Sequence, residues 1–143
     1  MARAGILGCA ALLPIGCTVP VAPPANPFAG TWSTAERERI AFRDDTVVLT
    51  PPDAPPTAMA ADACGGTFRF SYGRKTREAL VALAPRHPDV TGKLVRLFVQ
   101  PDYPVAELVC GEGDTTYVLM GEKDLVAVYR DRDIAGIEQL SRL

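Results

Sequence analysis

The chain has 143 residues, 48% of them hydrophobic and 22% charged, with a formal net charge of −2. That length suits one domain around one core and leaves no room for a second. The overall charge lacks the basic footprint that nucleic acid demands, so nucleic-acid binding is excluded from the expected functions.

Met1 to Pro14 is a short apolar stretch with Arg3 near its start, running straight into Ile15-Gly16-Cys17. Ile6 to Ile15 is too short to span a bilayer as a helix, which needs ~20 apolar residues, but it suits the ~7 to 15 residue core of an export signal. Gly16-Cys17 resembles the lipobox of bacterial lipoproteins, whose cysteine is acylated and heads the mature chain. Pro14 stands where that family usually has Leu, and Leu13 comes one place early. The resemblance implies a signal peptide over 1–16, lipidation at Cys17 and a lipid-anchored place in the bacterial cell envelope. Thr18 is not the Asp of inner-membrane retention, which implies an outer-membrane anchor facing the periplasm. A plain secreted protein, or an N-terminal helix broken at Pro14, are the alternatives. Removing 1–16 leaves 127 residues and, with Arg3 gone, a formal charge of −3.

Residues 17–27 hold Pro20, Pro23, Pro24 and Pro27 among small residues, which predicts an extended tether holding the domain off the membrane. The folded domain is expected over 28–143. Arg39 to Arg43 and Thr46 to Thr50 flank Asp44-Asp45 with β-branched and aromatic residues, a hairpin pattern closed by the proline-rich loop 51–56. After a turn at Gly65-Gly66, Thr67 to Tyr72 alternates as a half-buried strand does.

The period then changes. Leu80, Val81 and Leu83, and next Val90, Leu94, Leu97 and Phe98, fall at helical spacing. They predict two short helices over 78–84 and 89–99, with Asp89 capping the second. Strand chemistry returns over 105–110, 115–120 and 125–130, joined by two glycine-bearing loops. The tail 134–143 is read as strand entering a short helix. The fold class is therefore β-rich α+β: a small antiparallel β-barrel or meander sheet with a two-helix insertion at about 75–99, closure being the economical way to remove edges.

Cys9 falls in the signal and Cys17 would carry lipid, leaving Cys64 and Cys110 in the body. In an oxidising compartment these are expected to form one disulfide, contributing ~3 to 4 kcal/mol, with two buried thiols as the alternative. Such a bridge is expected to clamp the base of the helical insertion. One histidine and no close Cys pair give no metal site and no cofactor.

Gly30-Thr31-Trp32 at the opening of a barrel-like chain resembles the Gly-x-Trp start of lipocalin-type folds. The resemblance implies that Trp32 plugs one end of the barrel. Among exported bacterial proteins it extends to the Inh-type metalloprotease inhibitors and, in size, anchoring and disulfide content, to the lysozyme-inhibitor lipoproteins. No inhibitory residue carries over, because the Inh-type disulfide sits early and the lysozyme inhibitors' loop motif is absent.

An enzyme is not expected. His87 is the single imidazole, and it lies in Pro85-Arg-His-Pro88 between the helices, where solvation or capping outweighs catalysis. Asp44-Asp45, Asp114 and Asp131/Asp133 each sit at a predicted turn, where Asp is favoured for backbone reasons. Gly65-Gly66 lacks the lysine and helix of a phosphate loop.

Charge is distributed unevenly. Arg74, Lys75, Arg77, Arg86, Lys93 and Arg96 face only Glu78 and Asp89 across 74–96, whereas 97–143 carries nine acids against four bases. The six basic residues are candidate contacts for an envelope protein partner, or for anionic lipid or lipopolysaccharide; a solvated helix face is the alternative. The expected function is a non-enzymatic binding module of the envelope, a hydrolase inhibitor or assembly subunit. Its rival is a lipocalin-like carrier of a small hydrophobic ligand, disfavoured because Phe68, Phe70, Tyr72, Tyr117 and Tyr129 fill a small barrel.

Overall fold

The computed structural model describes residues 25–143. The signal segment 1–16, Cys17 and most of the tether lie outside the described residues. The tether's last residues already belong to the domain: Asn26 accepts from the Ala29 amide through its carbonyl (3.0 Å) and from the Phe28 amide through its side chain (3.0 Å).

Strands β1 (Gly30–Thr34), β2 (Arg39–Phe42), β3 (Val47–Thr50) and β4 (Thr57–Ala58) form one antiparallel meander. The second wing begins with β5 (Phe68–Thr76), breaks for helices α1 (Arg77–Val81) and α2 (Pro88–Leu97), and continues through β6 (Asp102–Cys110), β7 (Gly113–Leu119), β8 (Asp124–Asp131) and β9 (Ile134–Arg142). Pairing of β9 with β1 joins the wings into one nine-stranded sheet, ordered β4-β3-β2-β1-β9-β8-β7-β6-β5. The sheet curls into a half-barrel. Its ladder stays open between the edge strands β4 and β5, and side chains close the gap. Phe42 lies 6.3 Å from Phe70 and Phe28 5.6 Å from Tyr72, ring centre to ring centre, while the Tyr72 hydroxyl donates to the Arg43 carbonyl.

Both faces of the sheet are used. The concave face buries Phe28, Trp32, Phe42, Leu108, Tyr117 and Leu140, and the convex face packs Val105, Val118, Val126 and Val128 under Leu80, Leu94 and Phe98 of the helical insertion. This explains why Leu125-Val126-Ala127-Val128 is buried at every position: alternate residues serve opposite cores.

Three expectations need correction. The tail is strand throughout, because β8 and β1 each offer it a free edge, and two ladders outweigh the helical spacing of Ile134, Ile137 and Leu140. The helical insertion is where it is expected, its helices running within Arg77 to Leu97, and the Thr76 hydroxyl at the end of β5 caps α1 at the Ala79 amide (3.2 Å). Asp89 does not cap α2; His87 holds that place without a side-chain bond, and Pro88 begins the first turn, where its missing N–H costs nothing. Finally, the Cys64–Cys110 disulfide is formed but does not clamp the insertion. The β5–β6 ladder begins at Phe68↔Cys110 and ends at Thr76↔Asp102, so the bridge and the helices sit at opposite ends of it.

Candidate functional site

One end of the half-barrel is sealed. Trp32 is fully buried there and donates its indole N–H to the Phe28 carbonyl (3.0 Å), while the Arg142 guanidinium lies 4.3 Å from the centre of its ring. Arg142 also donates to the carbonyls of Pro27 (2.7 Å), Ala29 and Glu122 (2.7 Å), so one side chain ties the domain's start, its last strand and the β7–β8 turn together.

The opposite end is open. A cleft of about 340 Å3 lies between the β1–β2 turn and the rim formed by Cys110, Gly113 and Asp131. Its floor is a row across three strands, Tyr117 on β7, Ala127 on β8 and Glu138 on β9, paired in register. Glu38, just before β2, lines the same cleft. One wall is Tyr129, whose ring lies over Gly136 so closely that a Cβ there would fall within it.

Electrostatics separate this end from the rest of the molecule. Glu38, Asp114, Asp131 and Glu138 line the cleft with a single base, Arg130. That base is engaged: it pairs with Asp114 (2.7 Å) and donates to the Leu83 carbonyl (2.8 Å). Tyr117 is 5% exposed, and its hydroxyl makes no hydrogen bond among the described residues. Burial, then the charges of Glu38 and Glu138, push that phenol far above its ordinary value. Burial, then Glu38 and Glu36, also hold the Glu138 carboxyl above the usual carboxylate range.

The six basic residues chosen from the sequence are not one patch. Arg74 and Lys75, on β5, pair with Asp102 and Glu107 (3.0 Å for the latter) on β6. Arg77 turns inward and donates to the Phe98 carbonyl (2.6 Å) and the Val95 carbonyl (3.3 Å), closing the end of α2. Arg86 lines an outer hollow beside His87, Glu112 and Arg132, whereas Lys93 and Arg96 flank a third hollow with Ile137 and Gln139. Cys64 and Cys110 meet at the rim of the cleft.

Sequence reasoning missed Glu38 and Glu138 and took Tyr117 and Tyr129 for filling. The signal was present: once the tail is read as strand, Gly136, Glu138 and Leu140 share one face, and a glutamate in the phase of a buried leucine is the anomaly that marks a site. No protein-family model, curated protein or solved structure matches the chain.

Proposed function

We propose that this chain is a non-enzymatic lipoprotein of the bacterial envelope, anchored through Cys17, that binds a partner protein at the open end of its half-barrel as a hydrolase inhibitor or assembly subunit. The observation that carries this reading is the cleft itself, where unneutralised carboxylates and an unpartnered phenol stand on a rigid three-strand floor. Structural stability alone does not favour placing Glu38 and Glu138, both half-buried, where Glu38 raises the cost of ionising Glu138 and both raise that of Tyr117, because like charges held close together repel. They are better explained by something that completes them.

The lipocalin-type start lends support through Trp32, which occupies the sealed end. An apolar cargo is less well supported. Phe28, Phe42, Phe70 and Tyr72 fill the interior, and carboxylates at the entrance oppose a greasy ligand. Hydrolytic chemistry at the cleft also lacks support, since His87 lies on the convex side with the helices and no imidazole lines the mouth.

The test is native mass spectrometry of the intact protein, gently extracted from its own envelope by a C-terminal tag. An acylated mass beginning at Cys17 together with a stoichiometric protein adduct is the expected result. A sub-kilodalton apolar adduct beyond the acyl anchor would transfer the reading to a carrier, and an unacylated chain would remove the lipoprotein.

A further inference from the structure

The chemistry of the mouth is more specific than "binding". Arg130 is committed to Asp114 and to the Leu83 carbonyl on the convex side, which leaves Glu38, Asp131 and Glu138 as the mouth's uncompensated carboxylates. Glu38 and Glu138 enter no ion pair among the described residues. Tyr117 lines the same cleft and feels both charges, with its ring against Phe42 (4.9 Å, edge-on) and its hydroxyl making no hydrogen bond among the described residues. Ile40, Leu49 and Met59 form an apolar side to the same cleft, and the half-exposed Tyr129 ring adds an aromatic one. Among the described residues no three of His, Cys, Asp and Glu come close enough together to hold a metal ion. The negative charge is therefore spread around an apolar channel, and a spread charge suits a cation that carries its own stem.

We infer that the mouth is a site for an alkylammonium group, with the nitrogen between Glu38 and Glu138, the Tyr117 hydroxyl as a third partner, and the methylene stem against Ile40, Leu49 and Met59. This rests on the binding-module reading and names the chemistry its site selects. An ammonium on a chain of methylenes supplies three donors to acceptors that have none, and it leaves the apolar side covered. Two sources present that group, a free polyamine and a lysine side chain of a partner protein.

The experiment is a titration of the 15N-labelled full chain, followed by amide chemical shifts. The probes are spermidine, Nα-acetyl-lysine methylamide, 1-hexanol as a neutral stem and calcium chloride as a compact cation. Both ammonium probes are expected to shift the amides of Glu38, Tyr117 and Glu138. The double variant Glu38→Gln with Glu138→Gln should weaken them by about tenfold, the loss expected for a hydrogen bond to a charged group. Tyr117→Phe, which keeps the ring and so the packing on Phe42, should weaken them by a smaller factor, and Glu122→Gln should leave them unchanged. Preference for spermidine assigns the site to a free polyamine; preference for the lysine derivative assigns it to a partner's side chain. Silence of these amides to both ammonium probes, equal binding by the double variant, or a response to hexanol or calcium alone overturns the inference. A protein adduct captured from the envelope by a chain whose mouth ignores both ammonium probes would overturn this inference and leave the binding module intact. Spermidine at the mouth with no protein adduct would do the reverse.

Discussion

Glu138 shows how one residue records the tension between fold and site. Its place on β9 is in phase with Leu140, so the sheet turns it inward, toward Glu38 and Glu36. The folded state favours its protonated form, because burial and like charges raise its pKa. The sign follows from linkage. Below the unfolded value both states hold the proton and Glu138 costs nothing; as pH rises through the raised folded value, ionisation destabilises the fold. Glu138→Gln should therefore melt higher than the parent near neutral pH, with the gap closing as pH falls into the carboxylate range. Melting curves at several pH values check this, and an unchanged gap would mean the carboxylate is not opposed by its neighbours. Tyr129 gives the complementary lesson. Its aromatic character predicted burial, yet it is 40% exposed because Gly136 opposite it provides a floor on which the ring lies flat at the edge of the cleft.

Elements were legible wherever a single local signal decided them. The β2–β3 hairpin, the β6-β7-β8 meander and the two helices follow from alternation, tight loops and helical spacing, all contained within a few residues. The tail was not, because its spacing admits a helix and only neighbours distant in sequence make it strand. The disulfide was legible as a pair and misplaced as a clamp. Its position depends on how far β5 and β6 run together, which alternation over Thr67 to Tyr72 underestimates at the Gly73 to Thr76 end. Replacing Cys64 and Cys110 together with Ser should cost about 2 to 4 kcal/mol. The loosening should be local to the rim: hydrogen exchange should quicken at Phe68 to Phe70 and Leu108 to Gly111 while α1 and α2 keep their protection. Faster exchange in the helices instead would mean that the bridge reaches the insertion after all.

On the scale of the molecule, the sequence contained the half-barrel's strands and its helical insertion but not the way they share one sheet. A reading that seeks one core per domain assigns each apolar residue to it, whereas here the sheet serves two, and β8 contributes to both. The candidate site becomes legible only once the tail is read as strand, because it is formed where β1–β2, β7, β8 and β9 meet. Leu140, buried on the concave side of β9 and paired with both Thr34 and Leu125, is where the wings are joined. Leu140→Ala should cost about 2 to 5 kcal/mol, as large-to-small changes in cores do. Denaturant melts followed at Trp32 and by far-ultraviolet dichroism should shift together; separate transitions would mean that the wings are independent units.

That seam also sets an order of events. Within each wing the ladders join strands that follow one another or flank the helices, contacts that a chain closes quickly. The β1–β9 ladder alone brings the domain's first strand to its last, and it carries the loop-closure entropy of nearly everything between. A chain that emerges from its amino end therefore waits with Trp32 uncovered and the edge of β1 unpaired until Ile134 to Arg142 arrive, and Arg142 is the residue that then covers the indole. The final strand acts as a timer: until it docks, the molecule is two meanders in search of a partner, and any holding factor that shields them has a single event to wait for.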